Sequence, residues 1–200
     1  MWTKETPSNS LVPRLDMIIG CMYSSKTKTL IRRIRGVKSI YPNVSCIVLT
    51  HEIDSRYAAK DYIVSHDLDK VDAVSTSQLV PFLYDARFHK SHFVFIEEGQ
   101  FFDDLVEFVK QAVEIHGKYV TVCGLDGDYK RNPFTNIVTL IPWADDVVKL
   151  KAKCSKCGEY APFSMKKTRA CSNESTNIID VGGVEKYAPV CREHYVDCGL

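Results

Sequence analysis

Leu15-Asp16-Met17-Ile18-Ile19-Gly20-Cys21-Met22-Tyr23-Ser24-Ser25-Lys26-Thr27 is an apolar run that ends in a glycine and passes through a short turn to a lysine and a threonine. Its second half follows Gly-x4-Gly-Lys-[Ser/Thr], with Ser25 standing at the second glycine. In a loop of that pattern successive backbone N–H groups surround phosphate oxygens, the lysine reaches the β and γ phosphates, and the threonine hydroxyl sits on a magnesium ion. Gly20, Cys21, Met22, Tyr23, Ser24, Ser25, Lys26 and Thr27 are therefore the candidate phosphate cradle. Thr29-Leu30-Ile31-Arg32-Arg33-Ile34-Arg35 then forms a cationic helix-forming run, and a helix beginning at the loop adds its positive end. Serine in a glycine position carries a steric cost wherever positive φ or close approach is needed. The plain alternative for this stretch is a strand–turn–helix corner with a surface lysine.

Outward from the loop, Val44–Leu49, His92–Ile96 and Tyr119–Cys123 are apolar runs of strand length, of the kind found in strands buried on both faces of a parallel sheet. Ile137–Ile141 or Val147–Leu150 adds a further strand. Helices are expected over Lys28–Lys38, from near Pro81 to Phe88, and over Leu105–Val113, the last capped by Asp103 and ended by Gly117. His51 to Lys70 is polar and aperiodic, an expected exposed loop that carries Asp54-Ser55-Arg56-Tyr57. Strands alternating with helices predict an α/β fold, a parallel sheet flanked by helices, with ligands at the carboxyl ends of the strands. The expected division is a loose tail over 1–14, a nucleotide-binding unit over 15–150 and a small zinc-stapled unit over 151–200.

The chain of 200 residues is 45% apolar and 26% charged, with a formal net charge of +1. That balance gives no basic face for nucleic acid or an anionic membrane. No apolar run approaches the roughly eighteen residues of a membrane span, and Met1–Ser10 lacks the apolar region of a signal peptide. A cytoplasmic protein is expected, with no nucleic-acid or membrane partner. Four of the eight cysteines are scattered and the others gather toward the C-terminal end, which in a reducing compartment favours metal over disulfides.

His92–Ile96 finishes in Glu97-Glu98-Gly99-Gln100. Downstream of a phosphate loop, such an acidic pair suits a magnesium-nucleotide site, with Glu97 for the ion and Glu98 as general base toward an attacking hydroxyl. Arg56, from the polar loop, is a candidate to balance charge on the transferring phosphoryl group. Cys154-x2-Cys157 and Cys191-x2-His194 form two knuckle-like pairs suited to tetrahedral zinc. With four protein ligands such a site is structural, and it would close the intervening polar loop. Within that loop Val181-Gly182-Gly183 precedes Tyr187. Glycines there allow close approach to a planar ligand that the tyrosine would contact; a flexible turn is the plain alternative.

In combination these residues resemble the type II, zinc-containing thymidine kinases, over Leu15 to Tyr195. The resemblance is carried by Gly20–Thr27, Asp54–Tyr57, Glu97-Glu98-Gly99-Gln100-Phe101-Phe102, Gly124–Gly127, Arg131–Phe134, the two metal pairs and Val181–Tyr187. It implies a P-loop kinase-like sheet and transfer of the ATP γ-phosphoryl group to the 5′-hydroxyl of thymidine, with Mg2+ and structural Zn2+, in a homotetramer. By position it assigns Gly20–Thr27, Asp54, Ser55, Glu97, Gly99 and Gln100 to ATP and magnesium, and Glu98 and Arg56 to catalysis. It assigns Met22, Phe101, Leu125, Tyr129, Phe134 and Ser164 to a thymine pocket closed by a lasso of Ile178, Ile179, Asp180, Val181 and Gly182, with Tyr187 beyond it. The chain departs from the family pattern at Ser25, at Glu97 in place of an aspartate and at Tyr129 in place of a phenylalanine. Ser25 motivates the competing reading, a degenerate kinase homologue serving as a nucleotide-binding or regulatory subunit.

Overall fold

The fold grows from β1 (Arg14–Gly20), whose residues beyond the first are all buried. In the computed structural model, which describes residues 12–53, 62–64, 69–167 and 186–197, β1 runs directly into the loop and then into α1 (Lys26–Ile40). The strands β2 (Cys46–His51), β3 (Tyr62–Val64), β4 (Lys70–Asp72) and β5 (Val74–Thr76) follow, then a 3-10 turn (Val80–Tyr84), α2 (Ala86–Lys90) and β6 (Phe93–Glu97). After them come α3 (Leu105–Lys110), β7 (Tyr119–Gly124), α4 (Thr135–Thr139) and β8 (Asp146–Leu150). The chain continues through β9 (Ala152–Lys153), β10 (Tyr160–Ala161), β11 (Phe163–Lys166), β12 (Tyr187–Val190) and α5 (Arg192–Val196).

Six strands make one sheet in the order β5-β2-β6-β7-β1-β8, and every pairing in it is parallel. The α/β sheet expected from the sequence is thus present. Its strands read as continuous apolar runs because both faces are covered. On one face Met17, Ile19, Leu49, Val94, Ile96, Val120 and Val122 pack with Phe88, Phe102, Leu105, Phe108, Ile137 and Leu140. On the other Ile18, Val48, Phe95 and Cys123 meet Leu30, Ile31 and Ile34 of α1. No helix among the described residues is long and apolar enough to cross a membrane.

Four expectations need correction. Ile137–Ile141 is not a strand: Ile137 and Leu140, three apart, are fully buried while Val138 and Ile141 are exposed, the spacing of a helix face, and α4 followed by a 3-10 turn occupies the stretch. Val147–Leu150 supplies the strand instead. The stretch from His51 to Lys70 is not all loop, since β3 pairs antiparallel with β4 and Ile63 is buried; three-residue strands are too short to show a period. The helix expected from Pro81 to Phe88 breaks at Asp85, whose extended backbone lets its carboxylate accept the Arg87 N–H and cap α2. At α3 the N-cap residue is Asp104 rather than Asp103, and its carboxylate accepts the N–H groups of Leu79 and Val80.

Asp16, in β1, is a buried charge at 2% exposure. It accepts bonds from Arg14 Nε (2.6 Å), Arg33 Nη1 (2.7 Å) and the Tyr119 hydroxyl (2.5 Å), so β1, α1 and β7 are locked together at the amino end of the sheet. Burial, and then Asp16 itself, push the Tyr119 phenol up to about 12. Asp16→Ala should therefore cost about 2–3 kcal/mol of unfolding free energy in urea, below the figure for fully buried pairs because both guanidinium groups still touch water. Tyr119→Phe should cost about 1 kcal/mol in the same measurement.

Candidate functional site

Gly20 leaves β1 at φ 146°, and a Cβ built on it would lie 2.4 Å from the Leu150 carbonyl oxygen. Only glycine fits there. The chain then turns through Tyr23 and Ser25, both at positive φ. Ser25, at φ 66° and ψ 29°, is the N-cap residue of α1 and makes no side-chain capping bond. The serine thus takes the left-handed conformation that suits glycine, accepting the strain instead of altering the loop. Ser24 Oγ and Lys26 Nζ both donate to the Cys21 carbonyl, each at 2.8 Å. Lys26 and Thr27 accordingly open α1, where its N–H groups and positive end point at the loop.

Thr27 Oγ1 donates to Glu97 Oε1 at 2.7 Å. β7 lies between β6, which ends at Glu97, and β1, which leads through the loop to Thr27 at the start of α1, so the bond spans the carboxyl end of β7 and joins the loop to the acidic pair. Both glutamates are buried, Glu97 at 5% and Glu98 at 9% exposure. Glu98 sits in a left-handed turn, φ 52° and ψ 43°, a conformation a non-glycine residue holds only where its surroundings fix it. Gln100 Nε2 donates to Glu98 Oε2 at 2.6 Å, and Gln100 Oε1 accepts the Leu125 N–H at 2.9 Å.

Beyond Leu125 the segment up to Phe134 is fastened to itself. Asp128 Oδ1 accepts the N–H groups of Lys130 and Asn132 at 2.8 Å, and Asp128 Oδ2 accepts Asn132 Nδ2 at 3.0 Å. Asp128 is therefore a loop cap. Tyr129 is held from the other side, its carbonyl accepting the Tyr195 hydroxyl at 2.8 Å and its ring lying 6.2 Å from that of Tyr187.

The ligating atoms of Cys154, Cys157, Cys191 and His194 all lie within 4.8 Å of one another. Two pairs with x2 spacing bring them together: the turn between β9 and β10 carries one, with Gly158 donating back to the Cys154 carbonyl, and the start of α5 carries the other. Burial raises the Cys154 thiol, but the N–H groups of Cys191, Lys156 and Cys157 outweigh it and bring the thiol down to about 6. Three sulfurs and an imidazole at this separation are a donor set compatible with zinc. The cluster also abuts the loop. Cys21, Ala152, Cys154, Ala161, Val190 and Tyr195 form one apolar core, with Tyr23 and Phe163 against it; Cys21 Sγ donates to the Ala161 carbonyl at 3.1 Å, and the Met22 N–H to Ser164 Oγ at 3.0 Å.

Residues 13–195 match the family model described as thymidine kinase. The chain belongs to the thymidine kinase family. It is 39% identical over 186 residues to a thymidine kinase of Oryza sativa subsp. japonica, covering 92% of this chain and 66% of the rice protein. It is 37% identical over 183 residues to the thymidine kinase of vaccinia virus strain Western Reserve, covering 92% of this chain and 97% of the viral one. A thymidine kinase of Choristoneura fumiferana entomopoxvirus is 37% identical over 186 residues, covering 90% of this chain and 95% of that protein. As a thymidine kinase family member the protein is an enzyme, a nucleoside kinase.

Within this thymidine kinase family chain the candidate residues of the cradle, Glu97, Glu98, Gly99, Gln100, Phe101 and Leu125 gather at the carboxyl ends of β1, β6 and β7. Tyr129, Ser164 and Tyr187 approach from the far side through the contacts above, while Phe134 packs partly against the main core. Asp54, Ser55, Arg56 and the lasso residues Ile178, Ile179, Asp180, Val181 and Gly182 lie outside the described residues. Three contributors were missed in the sequence. Asn136 Nδ2 bonds the carbonyls of Gly99, Gln100 and Phe102 at 3.3, 3.1 and 2.9 Å, Asp128 caps its loop, and Tyr195 holds Tyr129. A polar residue heading an apolar run was the only signal for Asn136; a side chain that serves distant backbone leaves none. Ser25→Gly should remove about 1–2 kcal/mol of left-handed strain and lose up to about 1 kcal/mol to the freer unfolded chain. A small net gain in the urea midpoint, with full nucleotide binding, is the expected result.

Proposed function

We propose that this enzyme transfers the γ-phosphoryl group of ATP to the 5′-hydroxyl of thymidine, giving dTMP for DNA precursor synthesis. The observation that carries the reading is the Thr27–Glu97 bond, which joins a phosphate-binding loop to an acidic strand end within a thymidine kinase family chain. Backbone N–H groups of Gly20–Thr27 and the Lys26 ammonium bind the phosphates, as a P-loop requires. Thr27 and Glu97, two hard oxygen donors in contact, are the residues that would hold Mg2+, which when bound neutralises charge on the β and γ phosphates. Glu98 takes the proton of the 5′-hydroxyl as oxygen attacks phosphorus and the bond to the ADP leaving group breaks. Arg56, Asp54 and Ser55 complete the phosphate side, and Gly99 and Gln100 border it. Met22, Phe101, Leu125, Tyr129, Phe134 and Ser164 form the nucleoside pocket, closed by Ile178–Gly182 with Tyr187 behind.

The reading includes a structural Zn2+ on Cys154, Cys157, Cys191 and His194, a unit over 151–200 distinct from a nucleotide-binding domain over 15–150, a homotetramer and a cytoplasmic site. The non-catalytic alternative loses its motive, because Ser25 occupies the left-handed conformation that glycine would supply.

Labelled γ-phosphate from Mg-ATP should appear on thymidine, and Glu98→Gln should lower kcat by about 100- to 10,000-fold, the usual contribution of a general base. ATP binding with no transfer to thymidine, deoxyuridine, deoxycytidine or deoxyguanosine overturns the reading. Metal analysis should find about one zinc per chain. Chelation should lower the thermal midpoint by ~10 °C, since the metal's binding free energy is folding free energy, and zinc should restore it.

A further inference from the structure

We propose that Gln100 is a positioning residue for the general base: its side-chain amide holds the Glu98 carboxylate in place and ties it to the backbone of the nucleoside loop at Leu125. The inference rests on the reading of Glu98 as base, and it moves Gln100 away from the nucleotide role that its place in the motif implies.

An amide has one donating end and one accepting end. Here Nε2 faces a carboxylate that can only accept, and Oε1 faces a backbone N–H that can only donate. The opposite orientation would break both bonds. The side chain is therefore engaged at both ends, and Gln100 is only 6% exposed. Its surroundings are shaped to keep it so. A Cβ added at Gly124 would lie 2.7 Å from Gln100 Oε1, so the absent side chain is what makes room for the amide. The main chain of Gln100 is held as well, because Asn136 Nδ2 donates to its carbonyl and to those of Gly99 and Phe102.

Glu98 needs this support. Its backbone is left-handed, and the carboxylate must stay within hydrogen-bond reach of the hydroxyl it deprotonates. A bond to one carboxylate oxygen restrains the rotation of the group. The same amide anchors Leu125, the first residue past β7 and the start of the segment that carries Tyr129 and Phe134. Glu98 and the nucleoside-facing segment are thus registered to each other by a single side chain. Movement of one is felt by the other, and an offset of about 1 Å at a reacting centre costs on the order of a hundredfold in rate.

The test is a double-mutant cycle on the full-length enzyme, using Gln100→Met, nearly the same shape without the polar atoms, with Glu98→Gln and the combined variant. Steady-state and single-turnover assays with Mg-ATP and thymidine give kcat and both KM values, and a thermal melt reports folding. Gln100→Met should lower kcat about 10- to 100-fold and raise KM for thymidine, with KM for ATP changed by less than about twofold. In the Glu98→Gln background the same change should alter kcat by less than about twofold, because the group it positions has gone. An equal loss in both backgrounds overturns the inference, as does a raised KM for ATP with unchanged kcat. Full activity in Glu98→Gln overturns the assignment of the base and this inference with it, whereas loss there with a normal Gln100→Met enzyme overturns this inference alone. If Gln100→Met does not fold, Gln100→Glu keeps the acceptor for Leu125 but sets a second carboxylate against Glu98, and its kcat is read the same way.

Discussion

The Leu150 carbonyl occupies the space where a side chain on residue 20 would be. That contact sets the angle at which the chain leaves β1, and the course of the Gly20–Thr27 loop follows from it. β1 is paired on both sides, with β7 and β8, so its end cannot shift to accommodate a Cβ without disturbing two ladders. Leu150 is also the last residue of β8, and two residues later Ala152 joins the apolar core that contains Cys21. One close approach therefore orients both the loop and the chain that leads to Cys154 and Cys157.

The Cys154, Cys157, Cys191 and His194 cluster works in this setting as a remote part of the loop's support. Its ligands are brought together by short local pairs, which keeps chain entropy low within each pair, and a bound metal would then close the long interval between them. The neighbouring residues do the contacting: the Ala161 carbonyl accepts the Cys21 thiol, Ser164 Oγ accepts the Met22 N–H, and the Tyr195 hydroxyl donates to the Tyr129 carbonyl. A few hydrogen bonds and a small apolar core connect three functional segments that belong to distant parts of the sequence.

Much of this was legible before any coordinates. Two-faced burial makes strands read as unbroken apolar runs, and β1, β2, β6 and β7 could be found that way. The loop, the acidic pair and the metal pairs are local patterns whose chemistry is tied to spacing, so they too could be read. What escaped depends on tertiary context. The β-branched run from Ile137 looks like a strand until its burial is seen to recur at helical spacing. Gln100 reads as part of a nucleotide motif, yet its partners are a carboxylate two residues away and an N–H twenty-five residues on. Ser25 marks a departure from the motif, and only its backbone angles reveal that the loop keeps a left-handed turn at the serine's expense.

The contacts across the loop also order events during synthesis. Cys21 and Met22 emerge from the ribosome early, but their partners Ala161 and Ser164 lie about 140 residues later, and Tyr195 later still. β1 and β2 are not neighbours in the sheet, and β1 gains its partners only when β7 and β8 have been made. The contacts that the loop makes to Ala161 and Ser164 wait longer still. The side of the loop that meets Ala161 and Ser164 is therefore completed only after the whole parallel sheet has been synthesised, so a late segment of the chain finishes what its first strand begins.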